Sequence, residues 1–176
     1  CVNIPGLVKT IGYRKPIKNN DKELSRWKKF TLKSEVGESS EYDLSGWIVI
    51  MEYYKNNDLL TLTRNYLQSR NIDAMNPTIR SKIIFGVASI MKQLHQNNAI
   101  YRDLKPSNVF LTDNFEPVIG DFELSKFVID PLSMTMGIGT PIYMAPEIIS
   151  DEYDLYSFSA DVYSYGIFLY QMFAKE

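Results

Sequence analysis

Between Asn76 and Asn98 the apolar residues Ile79, Ile83, Ile84, Val87, Met91 and Leu94 recur with helical spacing, which commits this stretch to a helix with one buried face. Asn76 supplies a cap and Pro77 the first helical position, where a missing N–H costs nothing; Asn97 and Asn98 predict the end. Such a helix needs a second layer, and candidates follow at once. Short apolar pieces at 100–104, 109–111 and 118–119, separated by Pro106, Asp113-Asn114 and Pro117, suit small strands flanking loops. A last helix is expected over about 160–173, apolar almost all round, the pattern of a helix buried inside a domain. Upstream, 47–51 is short, β-branched and bounded by Gly46 and polar residues, and predicts a buried strand. Residues 2–13, with Pro5, Gly6 and Gly12, predict a turn and one strand. The mixture implies an α+β fold.

At 176 residues and 45% apolar composition the chain can bury one substantial core. Nineteen basic and 21 acidic residues leave a net charge of -2, without the basic excess that phosphate-backbone binding needs, so no nucleic acid partner is expected. One cysteine, Cys1, cannot form an internal disulfide, and one histidine, His95, cannot build a multi-His metal site; a reducing, cytoplasmic setting is expected. No apolar run approaches the roughly 20 residues that span a bilayer, and no signal sequence opens the chain, so no membrane span is expected. Residues 18–45 are mostly polar and read as a long insertion loop, with a short helix or hairpin near 24–32. The chain starts with Cys1 rather than methionine, and its last helical pattern is still apolar at Glu176; both ends are expected to be cuts through a larger protein.

The chemistry concentrates in Tyr101-Arg102-Asp103-Leu104-Lys105-Pro106-Ser107-Asn108, which puts a carboxylate, an ammonium and an amide on one loop directly after a helix. Thirteen residues beyond Asn108, Asp121 opens Asp121-Phe122-Glu123 at the end of a strand candidate. Two carboxylates and an amide oxygen suit a hard cation such as Mg2+. Taken singly, Asp103 reads as a cap or turn residue, Lys105 as a solvated side chain, Asn108 as a turn residue and Asp121 as a strand-end turn former. Taken together, in this order and spacing, they resemble the signature of the protein kinases. Asp103 and Asn108 match the Asp and Asn of the catalytic loop, Asp121 the Asp of Asp-Phe-Gly, and Ala145-Pro146-Glu147 the Ala-Pro-Glu motif. Gly139-Thr140-Pro141-Ile142-Tyr143-Met144 resembles the substrate-facing segment, and Asp161 the buried Asp that braces the catalytic loop.

The resemblance implies a kinase-like mostly helical C-lobe over 55–176 and, over 1–54, a remnant of the N-lobe antiparallel sheet with the hinge. It implies ATP and Mg2+ as cofactors and protein substrates as partners. Asp103 would orient or deprotonate the attacking hydroxyl, Lys105 would neutralise the moving phosphoryl group, and Asn108 and Asp121 would hold Mg2+. Backbone groups of Glu52 and Tyr54 would bind adenine, Asp58 would reach the ribose, and Phe110 would lie under the base, although Tyr54 and Phe110 are equally well read as core residues. Lys105-Pro106-Ser107 and Gly139-Thr140-Pro141 resemble the serine/threonine pattern. A phosphate on Ser133 or Thr135 would pair with Arg102 and Lys126 to order the loop. Against the family pattern, no glycine-rich phosphate loop and no Val-Ala-Ile-Lys-like strand precede Met51, Tyr101 replaces histidine, and Glu123 replaces the glycine after Phe122. A pseudokinase, a kinase-like scaffold that binds proteins, is therefore the alternative.

Overall fold

The computed structural model describes residues 4–14, 48–69, 76–122, 125–127, 140–149 and 157–174. The insertion expected over 18–45, along with Glu123, Ser133 and Thr135, lies outside the described residues. The chain divides into two compact units, Lys9–Tyr53 and the remainder, Cys1–Val8 with Tyr54–Glu176.

In the smaller unit, β1 (Thr10–Arg14) pairs antiparallel with β2 (Ile48–Met51), Thr10 opposite Met51 and Arg14 opposite Ile48, with a bulge between Thr10 and Gly12. The β-branched run at 48–50 favours extended backbone. The expectation of a buried strand is not met at Ile50 and Met51, which are about half exposed among the described residues.

The larger unit holds α1 (Leu59–Ser69), α2 (Pro77–Gln96), β3 (Ala99–Ile100), a 3-10 turn at Pro106–Asn108, β4 (Val109–Leu111) and β5 (Pro117–Ile119). β6 (Lys126–Phe127), a second 3-10 turn at Pro141–Tyr143, α3 (Pro146–Ile149) and α4 (Phe158–Phe173) complete it. Helix α2 begins where the sequence predicts: the Asn76 side chain accepts a hydrogen bond from the Ile79 N–H at 2.9 Å. It buries Ile83, Val87, Ile90, Met91 and Leu94, the face that the periodicity marks. At Gly86 the helix meets β5 so closely that a Cβ there would lie 2.3 Å from Pro117 Cγ.

Helix α1 is not among the elements expected above. Asp58 starts it, accepting from the Thr61 N–H at 2.9 Å and from the Thr61 hydroxyl at 2.7 Å. Strands β4 and β5 form a hairpin with Phe110 opposite Val118. The chain's early residues add to it: Val8 N–H donates to Ile119 O and Ile119 N–H to Gly6 O, both at 2.8 Å. The strand predicted at 100–104 shrinks to Ala99–Ile100, paired with β6, because Arg102 takes φ 72°, which no strand admits.

Helix α4 starts at Ser157, whose hydroxyl accepts from Ser159 N–H. It buries Ala160, Asp161, Ser164, Phe168 and Met172. Its other side is open: Val162, Tyr170 and Phe173 lie on one stripe and are more than half exposed among the described residues. The main core joins α1, α2, the β4–β5 hairpin and α4 through Leu59, Ile83, Val87, Leu111, Ile119 and Phe168. Tyr101 and Leu104 belong to the same cluster, so the segment that carries Asp103 and Asn108 is threaded through apolar core. The fold is α+β, helix-rich with small antiparallel sheets. Among the described residues no helix is long and apolar enough to cross a membrane.

Candidate active site

The loop between β3 and β4 has no regular backbone partner, so its polar groups must be satisfied otherwise. Asp161, 1% exposed on α4, does this: its Oδ2 accepts from Tyr101 N–H at 2.9 Å and its Oδ1 from Arg102 N–H at 2.8 Å. His95, at the last turn of α2, places Nε2 2.8 Å from the same Oδ2. His95 therefore joins α2 to α4 through this carboxylate. On the other side, the Tyr101 hydroxyl donates to Gly120 O, and its ring meets Phe122 edge-on at 5.4 Å. Burial pushes the Tyr101 hydroxyl far above the ordinary tyrosine range, with Asp103, Asp121 and Asp161 acting in the same direction and the Asn108 side chain opposing. The hydroxyl is thus a standing donor.

Held at both sides, the loop presents Asp103 in a closed set of hydrogen bonds. Lys105 Nζ donates to Asp103 Oδ2 at 2.6 Å and to Thr140 Oγ1 at 2.8 Å, and the Thr140 hydroxyl donates to Asp103 Oδ1 at 3.0 Å. Asn108 Nδ2 donates to Asp103 Oδ2 and to its main-chain O, each at 2.9 Å. Asp103 is 5% exposed, yet every one of these partners is polar and two of its contacts are to an ammonium or its relay. Oδ2 carries two donors and Oδ1 carries Thr140, so among the described residues Oδ1 retains a lone pair for a further donor. Thr140 was not singled out as a site residue from sequence; its signal is a hydroxyl immediately before Pro141 in the substrate-facing segment. The segment is anchored to α4: Ser164 donates to Tyr143 O at 2.7 Å and Tyr143 to Gln171 at 2.7 Å.

Asn108 and Asp121 are linked through backbone, since Gly120 N–H donates to Asn108 O at 3.0 Å. Asp121 is exposed and takes φ 54°, a left-handed conformation that Asp tolerates better than most residues. With the Asn108 amide nitrogen committed to Asp103, its carbonyl oxygen is the group left to act as a ligand. An amide oxygen beside an exposed carboxylate is a donor set suited to a hard cation that completes its shell with phosphate oxygens and water.

Phe110, on β4, faces Tyr54 across 6.0 Å with the rings inclined at 31°, and is bridged to Asp58. The larger unit therefore brings Tyr54, Asp58 and Phe110 together, next to Gly120 and the catalytic-loop candidates. Asp58 already has both carboxylate oxygens engaged by Thr61 as a helix cap. Glu52 belongs to the smaller unit, where its N–H donates to Lys9 O at 3.0 Å. Glu123, Ser133 and Thr135 lie outside the described residues.

The protein kinase domain model matches residues 22–176. The chain is 34% identical over 130 residues to Sporulation-specific protein 1 of Saccharomyces cerevisiae, covering 74% of this chain and 26% of that protein. It is 45% identical over 94 residues to serine/threonine-protein kinase atg1 of Dictyostelium discoideum, 51% of this chain and 14% of that protein. To the RGS domain-containing serine/threonine-protein kinase A of the same organism it is 34% identical over 138 residues, 78% of this chain and 12% of that protein. The chain thus spans at most about a quarter of the length of these relatives. The match to the domain over nearly its whole length, with Asp103, Asn108, Asp121 and Asp161 in the order and surroundings described above, makes this chain a member of the protein kinase family.

Proposed function

We propose that the chain is part of the catalytic domain of a serine/threonine protein kinase that transfers the γ-phosphoryl group of ATP to hydroxyl groups of protein substrates. The observation that carries this reading is the hydrogen-bonded triangle of Asp103, Lys105 and Thr140. Phosphoryl transfer asks mainly for positioning and charge stabilisation, and this triangle offers both where the loop bearing Asp103 meets the segment bearing Thr140. Bound ATP with Mg2+ supplies the phosphoryl group and the cation that offsets its charge. Asp103 Oδ1 accepts the hydrogen bond of an incoming serine or threonine hydroxyl and orients its oxygen. Lys105 shifts its ammonium from Asp103 towards phosphate oxygens, and Asn108 and Asp121 offer the oxygen ligands for the cation. The backbone of Tyr54 and the ring of Phe110 serve the adenine; Asp58 reaches the ribose with the lone pairs that Thr61 leaves. The serine/threonine assignment rests on Lys105-Pro106-Ser107, on the Thr140 contact and on the kinases named above. A cytoplasmic setting accords with it.

Transfer of label from ATP to a generic serine/threonine substrate, with Mg2+ and with the metal chelated, tests the reading in the complete polypeptide that bears this chain. Asp103→Asn is expected to lower the rate about 100-fold or more. Glu123 in place of glycine favours the second reading, a protein-binding pseudokinase. Well-folded protein with no transfer in either form would establish that alternative.

A further inference from the structure

The substrate-facing segment is fastened to α4 through one residue, Tyr143, held at two points. Its main-chain O accepts from Ser164 Oγ, and its hydroxyl donates to Gln171 Oε1, each at 2.7 Å. Burial raises the Tyr143 hydroxyl above the ordinary tyrosine range; the Gln171 hydrogen bond and Lys105 oppose this, and Asp103 adds to it. The hydroxyl, and with it Gln171, therefore stands within electrostatic reach of the triangle formed by Asp103, Lys105 and Thr140.

The Gln171 amide is used on one side only. Oε1 takes Tyr143, while Nε2 has no hydrogen-bond partner among the described residues. Nor is Nε2 sealed in: among the described residues Arg80 Nε is the one buried side-chain polar atom without a partner, so the Gln171 N–H groups meet solvent. This corner offers an incoming chain donors. Free carboxylates are missing from it. Residues 140–146 and 162–173 contain no Asp, Glu, Lys or Arg, Asp161 is spent on the loop amides, and Asp103 is bound by Lys105, Asn108 and Thr140. A substrate lysine or arginine, which can only donate, finds no acceptor beside Gln171 and meets the Lys105 cation. A carboxylate finds an amide donor and a favourable field.

We propose that Gln171 is a specificity-determining residue that selects protein substrates carrying an acidic residue close to the acceptor serine or threonine, and gives no place to a basic one. The proposal rests on the phosphoryl-transfer reading given above and names its substrate class.

Initial rates of transfer test it, measured for the complete polypeptide on three peptides with one central serine flanked by Glu, by Ala or by Lys. The Glu-flanked peptide is expected to show kcat/KM about 10-fold above the Lys-flanked one. Gln171→Glu keeps an acceptor for Tyr143 and exchanges the free donor for a carboxylate oxygen, so the Glu-to-Lys ratio should fall by about 10-fold or more. Gln171→Leu, similar in size but without a donor, should bring the Glu-flanked and Ala-flanked peptides to about equal rates. Ratios taken within one protein cancel any loss of folded enzyme or of turnover. A Lys-flanked peptide used as well as the Glu-flanked one by the unsubstituted protein overturns the proposal, as does a ratio left unchanged in either variant. Transfer to none of the three peptides overturns the phosphoryl-transfer reading and the proposal with it.

Discussion

Replacing Asp161 should unfasten the catalytic loop before it unfolds the rest. The carboxylate is 1% exposed and accepts hydrogen bonds from His95 Nε2, Tyr101 N–H and Arg102 N–H at 2.8, 2.9 and 2.8 Å. In Asp161→Ala two buried main-chain donors lose their acceptor, each costing about 1–3 kcal/mol, while half-buried His95 can turn to water. A total near 3–5 kcal/mol is expected, which for a chain of this size is about 6–20 °C in unfolding midpoint. Arg102, held at φ 72°, gains a further reason to relax, since that backbone strain is no longer opposed. Thermal unfolding by circular dichroism measures the loss. Hydrogen exchange at the Tyr101 and Arg102 amides locates it: their protection should fall further than that of Val87 and Leu94 in the middle of α2. Asp161→Asn should be milder, as one oxygen can still accept, but its amide nitrogen must face another donor. If Asp161→Ala melts within about 2 °C of the unsubstituted protein and both amides stay protected, the brace assigned to this carboxylate is wrong.

Thr140→Ala removes a charge-assisted hydrogen bond to Asp103 and should lower phosphoryl transfer by about 10- to 100-fold, with Thr140→Ser close to the parent rate; initial-rate kinetics on a serine substrate decides it. Asn76→Ala deletes the cap of α2 and should cost about 1 kcal/mol, measurable by urea unfolding. Tyr101 keeps its proton more tightly folded than unfolded, so its contribution is present below about pH 10 and is lost as pH rises above that value towards the folded pKa. Tyr101→Phe should cost about 1 kcal/mol at neutral pH yet flatten the alkaline loss of stability, with Tyr143 and Tyr165, also raised by burial, sustaining the remainder.

Local patterns in the chain were enough for much of the architecture, because they depend on neighbours in sequence. Helix α2 follows from its spacing and from Asn76-Pro77, and β4 and β5 from short apolar runs between prolines and turn residues. The motif spacing likewise brought Asp103, Lys105, Asn108 and Asp121 forward together and pointed to the kinase family, which the domain match bears out. Helix α1 was legible too, since Leu59, Leu62, Tyr66 and Leu67 recur with helical spacing behind the Asp58 cap, but that pattern went unread. The exposure of Ile50 and Met51 in β2 and of Val162, Tyr170 and Phe173 in α4 is not legible from composition, which records what a segment prefers, whereas exposure depends on which layers stand against it. Only the tertiary structure could join residues far apart in sequence. It alone placed Thr140 on Asp103, Asp161 under Tyr101 and Arg102, and the Phe110 ring in the space that Gly120 leaves open. Those contacts span ten to sixty residues of chain, so no local propensity encodes them; they exist because the core carries the loop past α4 and sets its polar groups where only particular partners can satisfy them.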